Sequence, residues 1–363
     1  MGKLRVLVVE DSLTVRRRLC DVLGADPGIE VVGEAGDGKE AIARCRELAP
    51  DVVTMDMMLP TMSGLSATEF IMAHCPTPIL IVSSSTNRGE LFKTYEALSA
   101  GAVDVLEKPR GDDSDMAWEE SFRNTVKLVS RIRVITHPRA RLNQMRPVVV
   151  EPKARPSPAP SLDAAPGLRV VALGASTGGP GAIVDVLRGL PANFTVPILL
   201  VLHIGAPFGA GFAEWLDGQT PRRVFFGQDA QPIPGTAAGG GVWMAPPDHH
   251  LVVRDGRLHL NKEPERFSCR PSVDVLFESV AAEFGARAAG CLLTGMGRDG
   301  AAGLLAIRRA GGPTIAQDEA TSVVYGMPRE AVLLGAASRV LPLPEIGPAL
   351  AALASSTKGH ERA

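Results

Sequence analysis

The sequence lacks paired cysteines and any marked excess of charge. Neither the short repeated spacing of a zinc site nor that of a disulfide framework occurs among its five cysteines, which are Cys20, Cys45, Cys75, Cys269 and Cys291. We therefore expect reduced, structural thiols and a reducing compartment. The formal net charge of −2 gives no electrostatic reason to expect binding to nucleic acid or to an anionic membrane surface.

Long apolar runs are also missing. No segment approaches the roughly 20 apolar residues of a membrane span, and an acidic pair at positions 10 and 11 comes too early for a signal peptide. A hydrophobic content of 45% with 21% charged residues is typical of a globular protein. We expect a cytoplasmic monomer without membrane insertion, and 363 residues suffice for two domains with separate cores.

One segment differs in composition from the rest of the chain. Between residues 140 and 167 prolines occur at positions 147, 152, 156, 158, 160 and 166, which prevents a regular helix and favours an extended linker. On each side of it, strand-like apolar runs alternate with helical patterns, as in βαβ units. We predict two α/β domains with doubly wound parallel sheets at 1–135 and 167–355, a linker at 136–166 and a tail at 356–363.

Acidic residues follow two apolar runs in the first domain. Residues 4–9 lead into Glu10 and Asp11, and residues 52–55 lead into Asp56. If these strands are parallel neighbours, the three carboxylates converge at their carboxyl ends. Such an oxygen-rich cluster suits Mg²⁺, and one of its carboxylates can act as a nucleophile towards a phosphoryl group.

Two further residues continue this pattern. Ser83 ends the apolar run PILIVS, and Lys108 stands just before Pro109, where a cation can contact phosphoryl oxygens. Each signal is weak alone, because an acidic pair after a strand is more often part of a solvated loop. In this order and together, the signals resemble response-regulator receiver domains over residues 1 to about 125.

The receiver resemblance implies a flavodoxin-like fold and specific roles. It implies that Asp56 is phosphorylated, and that Mg²⁺ is bound by Glu10, Asp11 and Asp56. It also implies that Ser83 and Lys108 contact the phosphoryl group. The chain departs from many receivers at Val105, where they carry an aromatic residue, so a ring-flip output is not expected.

The second domain begins with a strand, a small-residue turn and a helical segment. In LRVVALGASTGGPGA, residues 168–182, Ser176 lies at the end of the strand-like run and Pro180 stands where a first helical turn tolerates proline. Glycines on both sides allow a sharp turn and close approach by a substrate. From this segment alone, a nucleophilic serine and a phosphate- or dinucleotide-binding glycine loop are equally acceptable.

A histidine and an aspartate follow two other apolar runs. His203 ends the run 198–202 and can accept a proton from a serine hydroxyl, although an isolated histidine is more often structural. Asp299 lies in TGMGRDG, residues 294–300, where it can orient a histidine or act as a helix N-cap. We expect the neighbouring pair His249 and His250 to be exposed loop residues.

Two common alternatives fit this pattern poorly. A phosphate loop explains Ser176 but gives no role to His203, and no lysine follows the glycines as a Walker-type loop requires. The residues around Ser176 read GASTG rather than G-x-S-x-G, so the usual α/β-hydrolase arrangement is not expected either.

Several motifs of this domain occur together in one family. GASTGGP, the strand-terminal His203, RPSVDVLF (270–277), TGMGRDG (294–300) and AQDEATSVVYGMPREA (316–331) are similar to the catalytic domain of chemotaxis protein-glutamate methylesterases, the CheB family. That resemblance implies a Rossmann-like domain with Ser176 as nucleophile, His203 as base and Asp299 as orienting acid. It also implies an oxyanion N–H from Met296 and a supporting role for Thr177. The segment 204–208, IGAPF, departs from a methionine-proline sequence found in many relatives.

The resemblance implies a phosphorylation-activated serine hydrolase. Its substrates would be glutamate methyl esters, releasing methanol, and glutamines on methyl-accepting chemotaxis receptors, with a chemotaxis-type histidine kinase as phosphodonor. Mg²⁺ would serve only the receiver, and hydrolysis would need no cofactor. A non-catalytic signalling adaptor remains the alternative. A transcription factor would need a basic recognition helix, for which residues 167–363 give no convincing pattern.

Overall fold

The computed structural model describes residues 2–84, 87–109, 115–132, 134, 167–235 and 240–355. The predicted linker at 136–166 and tail at 356–363 lie outside the described residues. Within these ranges the chain forms two parallel α/β sheets, as predicted from the sequence. None of the helices in this part of the chain combines the length and apolar character needed to cross a membrane.

The N-terminal unit contains a five-stranded sheet. Its strands are β1 (Leu4–Val9), β2 (Ile29–Ala35), β3 (Val52–Met55), β4 (Ile79–Ser83) and β5 (Asp104–Glu107). They pair in parallel in the order β2-β1-β3-β4-β5. The helices are α1 (Leu13–Gly24), α2 (Gly38–Leu48), α3 (Gly64–His74), α4 (Arg88–Ser99) and α5 (Asp115–Val129).

Helix starts in this unit follow local sequence signals. The first four helices begin after a residue whose side chain accepts a hydrogen bond from a backbone N–H of the first turn: Ser12, Asp37, Ser63 and Asn87. Such caps satisfy donors that a helix leaves unpaired at its start. The helix boundaries were therefore largely encoded locally.

The C-terminal unit contains a seven-stranded sheet and a separate hairpin. The strands of the sheet are β6 (Val170–Ala175), β7 (Ile198–Leu202), β8 (Val224–Phe226), β9 (Val242–Met244), β12 (Ala288–Leu292), β13 (Thr314–Gln317) and β14 (Arg339–Leu341). All its pairings are parallel, in the order β14-β13-β12-β6-β7-β9-β8. The antiparallel hairpin consists of β10 (His250–Arg254) and β11 (Arg257–Asn261).

Helices and hydrophobic clusters cover both faces of this sheet. The helices are α6 (Gly179–Gly189), α7 (Ala206–Gly209), α8 (Phe212–Gln219), α9 (Val273–Phe284), α10 (Ala301–Arg309), α11 (Met327–Leu333) and α12 (Leu343–Ser355). Along β6 the side chains alternate between two clusters, with Val171 and Leu173 in one and Val170 and Ala172 in the other. A parallel strand buried on both faces is consistent with the continuous apolar run in the sequence.

One aromatic residue links the two units. Tyr95 on α4 is fully buried, and its ring packs edge-on against Phe212 at 5.3 Å and against Trp215 at 5.5 Å between centroids. Its hydroxyl donates a hydrogen bond to the carbonyl of Phe208. Val105 on β5 also packs against the hydrophobic cluster of the C-terminal unit. The two units therefore share part of one apolar core.

Candidate active site

The order of the strands brings the predicted serine and histidine to one edge of the sheet. Strand β6 pairs with β7 on one side and with β12 on the other, so the residues after all three strands lie close together. Ser176 follows β6 directly, and its N–H donates to the carbonyl of Thr294 at 3.0 Å. His203 follows β7, and its N–H donates to the carbonyl of Ala175 at 3.0 Å.

His203 and Asp299 are hydrogen-bonded to each other. The distance between His203 Nε2 and Asp299 Oδ2 is 2.9 Å, and the aspartate side chain is only 2% exposed. Asp299 does not cap α10, because Gly300 holds the N-cap position of that helix. The alternative role considered for Asp299, as the N-cap of the helix that follows it, is therefore wrong.

Asp299 instead binds the beginning of α9. Its carboxylate accepts hydrogen bonds from Ser272 Oγ at 2.7 Å, from the N–H of Val273 at 2.7 Å and from the N–H of Asp274 at 3.0 Å. A helix N-terminus favours negative charge. These donors fix the carboxylate in place, so it can hold one nitrogen of His203 in a defined orientation.

The electrostatic environment keeps this pair charged. Burial alone would raise the pKa of Asp299, but the hydrogen bond and charge of His203, together with Ser272, hold that pKa below its usual range. Burial alone would lower the pKa of His203, but the contacts with Asp299 and Cys269 outweigh it and raise that pKa to about 9. His203 is therefore mainly an imidazolium at neutral pH in this conformation.

Glycines allow the close packing around Ser176. A Cβ at Gly295 would lie 2.8 Å from Ser176 Cβ and 2.3 Å from Met327 Sδ, closer than real atoms approach. Gly178 has φ +76, and a Cβ there would lie 2.5 Å from Val323 Cβ. Gly295 is therefore needed for the loop that carries Asp299 to pack against Ser176, and Gly178 for the serine loop to pack against Val323.

A cavity of about 510 Å³ opens onto this edge. Ser176, Thr177 and His203 line it from the C-terminal unit. The N-terminal unit contributes Leu98, Val103, Asp104, Val105, Leu106 and Thr125. The cavity therefore lies between the two units, with the N-terminal unit along one wall.

The predicted set is only partly assembled. Among the described residues no hydrogen bond joins Ser176 Oγ to His203, although both side chains line the cavity. Thr177 accepts a hydrogen bond from Thr294 Oγ1 at 2.9 Å through its carbonyl. Met296 is half-buried, and its side chain packs against the aliphatic cluster of the N-terminal unit. The structure does not test the roles predicted for these residues.

Two residues near the site differ from the sequence-based expectations. His250 is only 1% exposed, so its predicted place in an exposed loop is wrong. It lies on β10, and its Nδ1 accepts a hydrogen bond from the N–H of Ser272 at 3.2 Å. Cys269, expected to be a structural thiol, lines the cavity and lies 3.7 Å from His203 Nδ1. Its place directly before the RPSVDVLF motif was the available signal in the sequence.

The N-terminal unit brings its predicted acidic residues together. Ligand atoms of Glu10, Asp11 and Asp56 lie within 4.8 Å of one another. Lys108 Nζ lies 2.8 Å from Glu10 Oε2 and 3.1 Å from Asp56 Oδ2. Burial and the nearby Asp56 raise the pKa of Glu10 to about 7, and burial also raises the pKa of Asp56. Negative charge in this cluster is thus incompletely compensated.

Ser83 lies at the end of β4, and its hydroxyl is hydrogen-bonded to a residue outside this cluster. Its hydroxyl donates a hydrogen bond to Glu90 Oε1 at 2.7 Å. Glu90 also accepts hydrogen bonds from the hydroxyl of Ser84. The predicted contact of Ser83 with a phosphoryl group would therefore require this hydroxyl to leave Glu90.

Comparison with known proteins agrees with this architecture. Residues 171–350 match the family described as CheB methylesterase, and residues 6–116 match the family described as response regulator receiver domain. The chain is 44% identical over 347 residues to protein-glutamate methylesterase/protein-glutamine glutaminase 2 of Anaeromyxobacter dehalogenans (strain 2CP-C), covering 96% of each protein. It is 42% identical over 351 residues to a protein of the same description from Nitrosospira multiformis, again covering 96% of each.

Among solved structures, the chain is similar to the Thermotoga maritima CheB methylesterase catalytic domain. The two are 32% identical with a TM-score of 0.48, covering 52% of this chain and 99% of the other. The family matches and the nearly full-length relatives together cover both sheets. The chain therefore belongs to the CheB family of receiver-regulated protein-glutamate methylesterases/protein-glutamine glutaminases.

Proposed function

We propose that this protein hydrolyses glutamate methyl esters, and deamidates glutamines, on the cytoplasmic helices of methyl-accepting chemotaxis receptors. The observation that carries the proposal is the hydrogen bond between His203 and Asp299, with His203 and Ser176 lining the same cavity. A partner-binding adaptor would have no need of an imidazole oriented by a buried carboxylate. The geometry therefore favours hydrolysis over the adaptor alternative.

The reaction follows from these positions. Ser176 Oγ attacks the γ-carbonyl carbon of the substrate, and His203 takes the hydroxyl proton and passes it to the departing methanol or ammonia. Water then attacks the acyl-enzyme with His203 as base and releases glutamate. Asp299 holds the ring and stabilises the imidazolium. We assign the oxyanion N–H to Met296 and support of the serine loop to Thr177, as the family resemblance implies.

Methanol release from methylated chemoreceptor membranes tests the proposal. We expect release by the purified full-length chain and stimulation by acetyl phosphate with Mg²⁺. If several methylated receptors yield no methanol while the chain still accepts phosphate, the adaptor alternative would replace this proposal.

We infer that the receiver is phosphorylated at Asp56 by a chemotaxis-type histidine kinase. Asp56 Oδ1 is buried without a hydrogen-bond partner among the described residues, and the neighbouring carboxylates of Glu10 and Asp11 supply the oxygen atoms that Mg²⁺ prefers. Bound Mg²⁺ would offset the charge of the incoming phosphoryl group. Lys108 lies within reach of the same oxygen atoms, and Ser83 is retained as a second contact.

Replacing Asp56 by asparagine is expected to remove the stimulation by phosphodonor. The amide cannot form the acyl phosphate, so methanol release with acetyl phosphate and Mg²⁺ should equal the basal rate. Asp51→Asn is the matched control, because Asp51 lies at the opposite end of β3 and accepts a hydrogen bond from the N–H of Arg5. Stimulation that persists in Asp56→Asn would place the phosphorylation elsewhere.

We propose further that the unphosphorylated receiver restricts access to the site. Receiver residues form one wall of the cavity, and Tyr95 packs against Phe212 and Trp215. Phosphorylation would shift the population away from this closed arrangement. The division at 1–135, 136–166 and 167–355 remains part of this proposal, with the linker allowing the two domains to separate.

Removing the Tyr95 ring is expected to raise basal methanol release. Tyr95→Ala loses the buried aromatic contacts and the hydrogen bond to Phe208, which weakens the closed arrangement by about 3 kcal/mol or more. Basal release should approach the phosphorylated rate. Phe70→Ala is the control, since Phe70 lies on α3 and contacts His74 instead. A folded Tyr95→Ala chain with unchanged basal release would contradict the proposed restriction.

The basal reaction should depend on pH through His203. Only the neutral imidazole accepts a proton, and its pKa is raised to about 9 in the closed arrangement. Basal kcat/KM is therefore expected to rise about tenfold per pH unit below that value and to level off above it. His74→Gln, which removes an exposed histidine of the receiver, should leave the profile unchanged. A plateau already reached near neutral pH would contradict the raised pKa of His203 in the closed arrangement.

A further inference from the structure

The sulfur atom of Cys269 contacts the base nitrogen. His203 Nε2 is bonded to Asp299, so Nδ1 is the nitrogen left to accept the serine proton. Cys269 Sγ lies 3.7 Å from that Nδ1, while the described contacts of His203 include no bond to Ser176. The thiol and the serine hydroxyl therefore compete for one histidine nitrogen at the same cavity.

The setting of this thiol resembles that of reactive cysteines. A sulfur beside an imidazole that a carboxylate orients is the arrangement that activates cysteine nucleophiles. The cavity gives small molecules access to the sulfur. By contrast, Cys291 is fully buried, and burial raises the pKa of its thiol. Burial also raises the pKa of Cys20 to about 11.

A metal ion explains this cluster less well. His203, Cys269 and Asp299 have ligand atoms within 4.8 Å of one another. However, Asp299 binds one ring nitrogen and Cys269 faces the other, so a single ion cannot take the imidazole together with both side chains. The oxygen atoms of Asp299 are also occupied by Ser272 and the first N–H groups of α9.

We propose that Cys269 is an oxidation site through which peroxides switch off the hydrolase, an inference that rests on the proposed function. The thiolate sulfur attacks one oxygen of the peroxide, a sulfur–oxygen bond forms and the oxygen–oxygen bond breaks. The sulfur is oxidised to a sulfenic acid, and the peroxide is reduced by two electrons. The departing hydroxide takes the proton of the His203 imidazolium and leaves as water. The added hydroxyl group then lies beside Nδ1, which blocks proton transfer from Ser176.

The thiol is tested first by alkylation of the full-length chain with iodoacetamide, each cysteine being followed by peptide mass spectrometry. In the wild-type chain, Cys269 should be labelled about tenfold faster or more than Cys20, whose pKa burial raises to about 11. His203→Gln should slow labelling of Cys269 about tenfold or more. Cys75 is the internal control, because hydrogen bonding by Cys45 and the charge of Arg46 lower its pKa to about 7 independently of His203.

The switch is tested by hydrogen peroxide treatment followed by methanol release. The wild-type chain should lose most of its activity and regain it with dithiothreitol, as expected for a sulfenic acid. Cys75→Ala should behave in the same way, whereas Cys269→Ala should keep its own untreated rate after peroxide.

Two results would overturn the inference. They are labelling of Cys269 that is no faster than labelling of Cys20, and equal fractional inactivation of Cys269→Ala and the wild-type chain. Labelling does not require hydrolysis. A chain that releases no methanol but labels at Cys269 as expected would reject the proposed function and still support the activated thiol.

Discussion

Replacing Ser176 by alanine is expected to lower methanol release by about 10⁴-fold or more, with or without phosphodonor. In the proposed mechanism the Ser176 hydroxyl forms the acyl-enzyme, and alanine provides no oxygen atom to replace it. Residual hydrolysis would come from substrate binding and the remaining polar groups. The measurement is the initial rate of methanol release from methylated receptor membranes.

The fold should survive this change. Among the described residues Ser176 Oγ makes no hydrogen bond, so the free energy of unfolding should change by no more than about 0.5 kcal/mol. Ser355→Ala is the matched control, since its hydroxyl donates a hydrogen bond to the carbonyl of Ala351 near the end of α12. A folded Ser176→Ala chain with more than a tenth of the wild-type rate would refute a serine nucleophile.

Replacing Asp299 by asparagine is expected to lower the rate by about 10⁴-fold. The amide presents an N–H₂ group where the carboxylate now accepts hydrogen bonds, so His203 loses its orientation and the imidazolium loses its counter-charge. The pKa of His203 should fall towards its usual value. The pH profile of the residual activity would therefore shift to lower pH, which a purely structural defect would not produce.

This substitution should also destabilise the chain. Asp299 is buried and accepts hydrogen bonds from Ser272, Val273 and Asp274. We therefore expect the substitution to lower the free energy of unfolding by about 2 to 3 kcal/mol. Because its folded pKa is depressed, this contribution is present above its unfolded pKa and disappears as pH falls through the folded pKa. The difference in free energy of unfolding between Asp299→Asn and the wild-type chain should therefore become smaller at acidic pH.

Asp217→Asn provides the matched control for stability and rate. Asp217 lies on α8, is not among the residues that line the cavity, and accepts a hydrogen bond from the N–H of Val224 at 2.7 Å. The Asp217→Asn chain should have a lower free energy of unfolding but an unchanged pH profile of activity. An Asp299→Asn chain with near wild-type rates would contradict an orienting role.

Several features could be derived from the sequence because they depend on neighbouring residues. Apolar runs followed by caps and small-residue turns predicted both sheets, and the strand-terminal position of Ser176 and His203 followed from the same pattern. The acidic residues at the ends of β1 and β3 were expected to converge because parallel neighbours share one edge, and they do.

Other features depend on contacts that sequence distance hides. His250 looked like part of a loop, but strand β10 buries it under α9. Asp299 lies beside the N-terminus of α9, a helix 26 residues earlier in the chain, rather than capping the helix that follows it. No local sequence pattern shows which of the two helices Asp299 binds, because at either helix its carboxylate would lie near backbone N–H groups.

The two parallel sheets, the residue types of the site and the family of the chain could all be derived from the sequence alone. Local propensity and short motifs suffice for these. Which distant side chains meet is known from the fold alone: Cys269 contacts His203 Nδ1, and Tyr95 packs against aromatic residues of the other unit. Such contacts join residues more than 60 positions apart, and they arise from packing of whole elements, which no local pattern encodes.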